Sequence, residues 1–173
     1  MNVFYLDEDP RAAAHMHCDK HVYKMILEYA QLMMAAWYKE AEKDPMVVQY
    51  ITDNEFWKPS HLHHPATKWV QTGIIPYAWV FSCWEELLLI YAGKTGKFHA
   101  AMKYHDSLML CPPSISEQME WVEPPLCMPD SYKYGSAVDA YRRYYCIEKA
   151  GFAKWVGRQT PAWFSGQACA LKG

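Results

Sequence analysis

The sequence lacks several features that mark common classes of protein. Its formal net charge is only −2, whereas a domain devoted to duplex DNA usually carries a clear excess of basic residues. Its 6 cysteines include no C-x-x-C pair, the spacing of many zinc sites and redox motifs, and no secretory signal precedes them. Glu85 and Glu86 interrupt the longest apolar run, which makes it too short to span a bilayer. We therefore expect a cytoplasmic protein with reduced thiols and no membrane segment.

Apolar and aromatic residues are abundant instead. They make up 51% and 16% of the 173 residues, a composition that excludes a disordered chain. Helical periodicity recurs along the sequence, and only residues 2–6 suggest a short extended segment. The sequence predicts an all-α fold, a single-domain compact helical bundle with long irregular connections over residues 1–173.

Proline, glycine and capping residues predict where the helices begin and end. A first long helix is predicted over residues 9–42. A second helical region over residues 65–92 is interrupted at Gly73 or Pro76 and stops at Gly93, because an interior proline removes a backbone donor. Shorter helices are predicted over residues 97–109, 115–122 and 136–155.

Polar residues form a stripe along the predicted first helix. Their spacing alternates between four and three residues, which places them on one side of a helix; they are His17, His21, Lys24, Glu28 and Gln31. In the simplest interpretation the stripe is a solvated face with a Lys24–Glu28 ion pair. Asp19 lies nearer the apolar face, so we expect a histidine or a basic side chain to pair with it.

Two functional interpretations compete with a solvated face. In the first, Glu28 is a catalytic carboxylate that His21 orients, and Lys20 or Lys24 supplies a positive charge or an amine. In the second, His17 and His21 bind a metal ion. The remaining ligand would then come from Glu28 or from the cluster of His61, His63 and His64, which we otherwise expect to be an exposed loop.

A basic segment lies near the end of the chain. Residues 132–158 have a net charge of +4, although the whole chain is slightly acidic. Its basic residues are Lys133, Arg142, Arg143, Lys149, Lys154 and Arg158, and its acidic residues are Asp139 and Glu148. Such a patch can attract a polyanion even when the total charge does not.

Several short motifs occur in a characteristic order. Residues 19–21 (Asp-Lys-His) precede Glu28 on an early helix, and residues 128–133 form a proline-aromatic-basic segment. The Glu-Lys pair at 148–149 is followed by Arg158 and by the Ala-Trp-Phe run at 162–164. In order and approximate spacing this resembles the pyrimidine-dimer DNA glycosylases of the endonuclease V type, and the chain is also similar to small uncharacterised phage proteins. The middle of the chain agrees only in being helical.

The resemblance implies an enzyme that acts on DNA. It implies a DNA N-glycosylase, with or without AP-lyase activity, that removes a damaged or modified pyrimidine from a flipped-out nucleotide. Glu28 would stabilise the developing charge on the sugar, with His21 as its neighbour. The nucleophile would be the α-amine of Met1, which is partly neutral at cellular pH.

The nucleophile stays open, because Asn2 is large enough for Met1 to be retained after synthesis. The alternatives are the side chains of Lys20 and Lys24, or no amine at all, with Glu28 activating water. Leu27 also stands where an arginine would help to bind phosphate, and Lys24, Arg142 or Arg143 would substitute for it.

These expectations define the predicted site. The catalytic residues are Glu28, His21, Met1 and Lys24; the DNA-binding residues are His17, Lys20, Lys133, Arg142, Arg143, Arg158 and Trp163. DNA is the expected partner of a monomeric protein without a cofactor or metal, in the host cytoplasm if a phage encodes it. The alternatives are a nucleic-acid or nucleotide base-modifying enzyme on the same scaffold, a metal-dependent hydrolase using His17 and His21, and a non-enzymatic binding module.

Overall fold

A computed structural model describes residues 2–164. Within that range the regular structure is helical and contains no β-strand, which confirms the all-α prediction. The α-helices are α1 (Pro10–Met16), α2 (Asp19–Ala41), α3 (Pro45–Asp53), α4 (Pro65–Val70), α5 (Ile74–Thr95), α6 (His105–Met109), α7 (Pro113–Ser116) and α8 (Ala137–Glu148). Short 3-10 turns cover Ala100–Tyr104, Asp130–Tyr132 and Ala162–Phe164.

Helices α2 and α5 form the centre of the fold. They make the most extensive helix-to-helix contact, and α1 packs against α5 beside them. The indole of Trp84, fully buried on α5, donates to the Ile26 carbonyl of α2 at 2.9 Å. One hydrophobic core extends from Val3 to Trp155, so elements from both ends of the described chain pack together.

The prediction of a single helix over residues 9–42 is wrong. His17 and Cys18 adopt extended backbone conformations that separate α1 from α2. Distant groups satisfy the amides at the break: Cys18 N–H donates to the Tyr145 hydroxyl at 2.9 Å, and Asp19 N–H donates to the Lys154 carbonyl at 2.8 Å. These tertiary hydrogen bonds override local helical periodicity, and His17 therefore does not belong to the α2 stripe.

The other boundaries agree in part with prediction. The break at Gly73 is confirmed, because Ile74 N–H donates to the Gln118 carbonyl at 3.0 Å where α5 begins. Helix α5 continues through Gly93 and ends at Gly96, whose φ of 67° is the left-handed conformation that glycine tolerates best. The helices predicted over 115–122 and 136–155 are shorter than expected, and α3 was not predicted.

The amino-terminal segment is extended but buried. Residues 3–6 are at most 5% exposed and pair with no strand among the described residues. Instead, Phe4 N–H donates to the hydroxyl of Tyr29 on α2 at 3.2 Å. This segment brings the start of the described chain onto α2.

Contrary to the expectation that this apolar run is too short to span a bilayer, helix α5 is long and apolar enough to cross a membrane, by length and composition only; half of the qualifying window is buried inside the protein. The central helix of a globular core passes the same test, so this feature is weak support for a membrane span. Cys18, Cys83, Cys111 and Cys127 are free thiols. Cys169 lies outside the described residues.

Candidate active site

The amino end of the described chain lies against Glu28. The backbone N–H of Asn2 donates to Glu28 Oε2 at 3.1 Å, and Lys24 Nζ lies 3.2 Å from Glu28 Oε1. The Glu28 side chain is only 14% exposed, whereas that of Lys24 is 58% exposed. The carboxylate is thus held between a backbone amide and an ammonium group, and Met1 itself lies outside the described residues.

Tyr141 on α8 fixes Asn2 in this position. Its hydroxyl lies 3.0 Å from Asn2 Oδ1 and 2.6 Å from the Pro125 carbonyl oxygen, so it donates to one of the two acceptors at a time. Asn2 Nδ2 donates to the Cys127 carbonyl at 3.0 Å, and Cys127 N–H donates to the Tyr141 hydroxyl at 3.3 Å. The two contacts of Asn2, with Tyr141 and with Cys127, link residues more than 100 positions apart, and no local sequence pattern predicts them.

A cavity of about 490 Å³ lies beside Cys127, whose carbonyl accepts the hydrogen bond from the Asn2 side chain. The cavity is lined by His64, Pro65, Pro125, Leu126, Cys127, Met128 and Lys133. A volume of this size is typical of small-molecule sites. The predicted motif around Lys133 therefore lies at the cavity, although Lys133 Nζ is also paired with Asp130 at 2.8 Å.

His64, named from the sequence only as a possible metal ligand, was not among the predicted catalytic or DNA-binding residues. Its Nδ1 accepts the Ala66 N–H at 3.1 Å as the N-cap of α4, so the neutral ring carries its proton on Nε2. Burial lowers the pKa of His64, and the Glu28 carboxylate opposes that shift. The expectation of an exposed loop is confirmed for His61 and His63. The His64-Pro65 pair, a capping residue before a proline, was the available signal for His64.

His21 lies among aromatic rings and does not contact Glu28. Its ring stacks on Phe4 with centroids 4.5 Å apart and packs against the edges of Tyr145 and Phe152. Seven residues of helix separate His21 from Glu28 by about 10 Å along the axis. Burial, followed by the nearby positive charges, lowers the pKa of His21 to about 3.

His17 is fully buried and holds hydrogen bonds with both ring nitrogens. Nδ1 donates to the Ala13 carbonyl at 2.7 Å, and Nε2 accepts from the Tyr29 hydroxyl at 3.3 Å. Burial lowers its pKa to about 4. His17 is therefore not on a surface that DNA could contact. The prediction that His17 and His21 lie one turn apart on the same helix is also wrong, because α1 ends before His17 and α2 begins after it. Within residues 2–164, no three side chains of His, Cys, Asp or Glu are grouped so that they could hold a metal ion.

Three lysines lie close enough to His21 to affect its pKa. Lys20, Lys24 and Lys149 each lower the pKa of His21, after the larger effects of burial and His17. Lys20 Nζ lies 4.7 Å from the Phe152 ring centroid, and Lys149 Nζ lies 4.5 Å from that of Tyr144. We call Lys20, Lys24, Lys149, Tyr144 and Phe152 the basic face; it adjoins the carboxylate site through Lys24.

The predicted DNA-binding arginines form contacts inside the protein. Arg142 donates to the Leu6 carbonyl and pairs with Asp7, both at 2.8 Å. Arg143 donates to two backbone carbonyls and lies over the Tyr134 ring.

The carboxyl-terminal motif is tied to the break between α1 and α2. Arg158 donates to the His17 carbonyl at 2.8 Å and to Asp19 Oδ1 at 3.0 Å. Lys94 also pairs with Asp19 at 2.9 Å, which confirms the expected basic partner of that carboxylate. The Trp163 indole lies 3.3 Å from the Met16 sulfur.

No protein-family model matches the chain, and neither a curated protein nor a solved structure is significantly similar to it. The function suggested by the short motifs therefore depends on the geometry of the residues themselves.

Proposed function

We propose that this protein is a DNA N-glycosylase with associated lyase activity, acting on a damaged or modified pyrimidine at Glu28. The observation that carries the proposal is the 3.1 Å hydrogen bond from Asn2 N–H to Glu28 Oε2. Covalent geometry keeps the atoms of Met1 within one residue of that amide. An α-amine and a carboxylate are the two groups that this reaction requires.

The proposed chemistry begins with attack of the amine on the sugar. A bond forms between the amine nitrogen and C1′ as the C1′–N bond to the base breaks, and its electron pair leaves with the base, which takes up a proton. The Glu28 carboxylate stabilises positive charge on the sugar. The C1′–O4′ bond then breaks, O4′ takes the proton that the amine nitrogen loses, and a protonated Schiff base remains.

His64 is suited to recognise the extruded base. With Nδ1 occupied by the Ala66 amide, Nε2–H is the available donor of its neutral ring. A pyrimidine offers carbonyl oxygens as acceptors, and the ring of His64 lines the cavity that would receive it. We assign His21 a positioning role, because it packs on Phe4, two residues after Asn2.

The basic face is the proposed contact for the DNA backbone. Lysines next to aromatic rings provide phosphate neutralisation together with surfaces on which bases stack. Lys20 and Lys149 each lie beside such a ring. The predicted arginine contacts to DNA are replaced in this proposal by lysines, since the arginines already donate to protein groups.

Borohydride trapping tests the proposal directly. Full-length protein is incubated with DNA containing a pyrimidine dimer or an abasic site, and the trapped peptide is identified by mass spectrometry. An adduct on the first residue supports the α-amine, whereas an adduct on Lys20 or Lys24 moves the nucleophile there. We expect Glu28→Gln to lower base release by about 100-fold or more, with Glu120→Gln, at an exposed position, as the matched control.

Two results would overturn the proposal. One is the absence of both adduct and base release on lesion DNA and on a panel of DNAs with modified pyrimidines. The other is a Glu28→Gln variant indistinguishable from wild type. Release of a modified base without an adduct would instead favour activation of water by Glu28.

A further inference from the structure

A second cavity, of about 620 Å³, shares Leu126 with the first. Two aromatic side chains, Tyr5 and Trp121, and two carboxylates, Glu8 and Glu123, contribute to its walls, together with the first residues of α8. None of these residues belongs to the proposed glycosylase site. The combination of rings and carboxylates determines which ligands the cavity can take.

The two rings form a corner that other tryptophans support. The Tyr5 and Trp121 centroids are 6.0 Å apart with 40° between the ring planes. The ring centroids of Trp79 and Tyr5 are 4.8 Å apart. Trp69 contacts Trp121 edge-on, with ring centroids 6.1 Å apart. Trp121 is 40% exposed although it is large and apolar, so part of its surface remains open to a ligand.

Indole hydrogen bonds hold the backbone next to both carboxylates. Trp79 Nε1 donates to the Glu8 carbonyl at 2.8 Å, and Trp69 Nε1 donates to the Val122 carbonyl at 2.7 Å. Trp121 Nε1 donates to Glu123 Oε1 at 3.1 Å. The acidic groups are thereby anchored beside the rings rather than carried on free loops.

The cavity has a negative electrostatic field. Burial raises the pKa of Tyr5 to about 12, and the carboxylates of Glu8, Glu123 and Asp7 contribute to that shift. Asp7 is paired with Arg142, but neither Glu8 nor Glu123 has an ion-pair partner within residues 2–164. The capping box of Ser136 and Asp139 offsets the positive end of α8.

We propose that this cavity binds an organic cation of the alkylated-ammonium type, against the exposed surface of the Trp121 ring and near Glu8 and Glu123. A quaternary ammonium has no hydrogen to donate and is attracted to an exposed aromatic ring such as that of Trp121. The two carboxylates add long-range attraction without requiring direct coordination. This inference does not depend on the glycosylase proposal.

Choline and 3,3-dimethylbutan-1-ol, its uncharged isostere, provide the test. Both are titrated into the full-length protein, and binding is followed by calorimetry and tryptophan fluorescence. We expect choline to bind at least about tenfold more tightly than the alcohol. Equal binding of the two compounds, or no binding of choline, would overturn the proposal.

Variants locate the site. Trp121→Leu is expected to weaken choline binding about tenfold, and the double variant Glu8→Gln/Glu123→Gln is expected to remove most of the preference for choline over the alcohol. Glu120→Gln, at an exposed position outside the cavity, serves as the control. Unchanged affinity in both cavity variants, with circular dichroism showing native helicity, would place choline elsewhere and refute the assignment.

Discussion

His21 lies parallel to Phe4, with ring centroids 4.5 Å and ring planes 21° apart, and its buried Nδ1 has no hydrogen-bond partner within residues 2–164. Burial lowers its pKa to about 3 and lowers that of His17, its neighbour at a ring separation of 6.5 Å, to about 4. Both rings are therefore neutral in the folded protein at pH 7. Protonation of either ring would place an uncompensated charge in the core.

Acid is predicted to destabilise the fold through these two histidines. A histidine in the unfolded chain has a pKa of 6.5 and therefore binds its proton at a higher pH than the folded one does. The free energy of unfolding consequently falls as the pH drops from about 6.5 towards 4. At pH 5 each histidine accounts for a loss of about 2 kcal/mol. Urea unfolding at pH 7.5 and pH 5 measures the difference.

Two variants separate this effect from general acid denaturation. His21→Phe preserves an aromatic ring against Phe4 and is expected to reduce the pH dependence, whereas His63→Asn, in an exposed loop, is expected to leave it unchanged. Equal pH dependence in His21→Phe and wild type would contradict the prediction for His21.

Removing the Tyr141 hydroxyl is predicted to loosen the amino end. That hydroxyl lies within hydrogen-bond distance of Asn2, Pro125 and Cys127, so Tyr141→Phe leaves partly buried polar groups without this partner. We expect a loss of about 1–3 kcal/mol in the free energy of unfolding. Tyr23→Phe, on a side chain that is 42% exposed, is the control, and an equal small effect for both variants would argue against the proposed role of Tyr141.

Local signals explain which parts of the fold were predictable. Asp9 caps α1 by accepting hydrogen bonds from the amides of Arg11 and Ala12, and Ser136 forms a capping box with Asp139 at the start of α8. Such contacts involve residues two or three positions apart, so their sequence signature is direct. The spacing of Lys24 and Glu28 likewise predicted their ion pair.

Tertiary contacts explain the failures. The break at Cys18 depends on Tyr145, more than 100 residues later, and the sequence around residue 18 contains no proline or glycine. The placement of Asn2 on Glu28 depends in the same way on Tyr141 and Cys127. Local periodicity therefore identified the carboxylate but not the groups that hold the amino end beside it.

Two glycines are predicted to respond to alanine in opposite directions. A Cβ atom at Gly73 would overlap the carbonyl oxygen of Gln118, whereas one at Gly93 would meet nothing within 4 Å. We expect Gly73→Ala to destabilise the protein by about 1–3 kcal/mol. Gly93→Ala, within α5, should stabilise it by about 0.5–1 kcal/mol. Thermal unfolding measures the stability of the two variants. The prediction is refuted if both substitutions stabilise the protein or both destabilise it.

Arginine and lysine variants distinguish structural from DNA-binding positive charges. Arg158 is only 14% exposed and bonded to Asp19, so Arg158→Ala should cost about 3 kcal/mol in unfolding free energy. Arg11→Ala, at a side chain that is 68% exposed, should change stability by less than about 0.5 kcal/mol.

The lysines of the basic face are expected to behave differently. Lys20→Ala and Lys149→Ala should leave folding nearly unchanged and weaken DNA binding. A plot of the logarithm of the DNA-binding constant against the logarithm of the salt concentration has a negative slope. Each variant should make that slope less steep by about 0.9, because one phosphate contact is lost. Fluorescence anisotropy over a range of salt concentrations measures this slope, with Lys43→Ala beyond the far end of α2 as the control. An unchanged slope in both basic-face variants would overturn the assignment of this face to the DNA backbone, since counterion release must fall whenever a phosphate-binding lysine is removed.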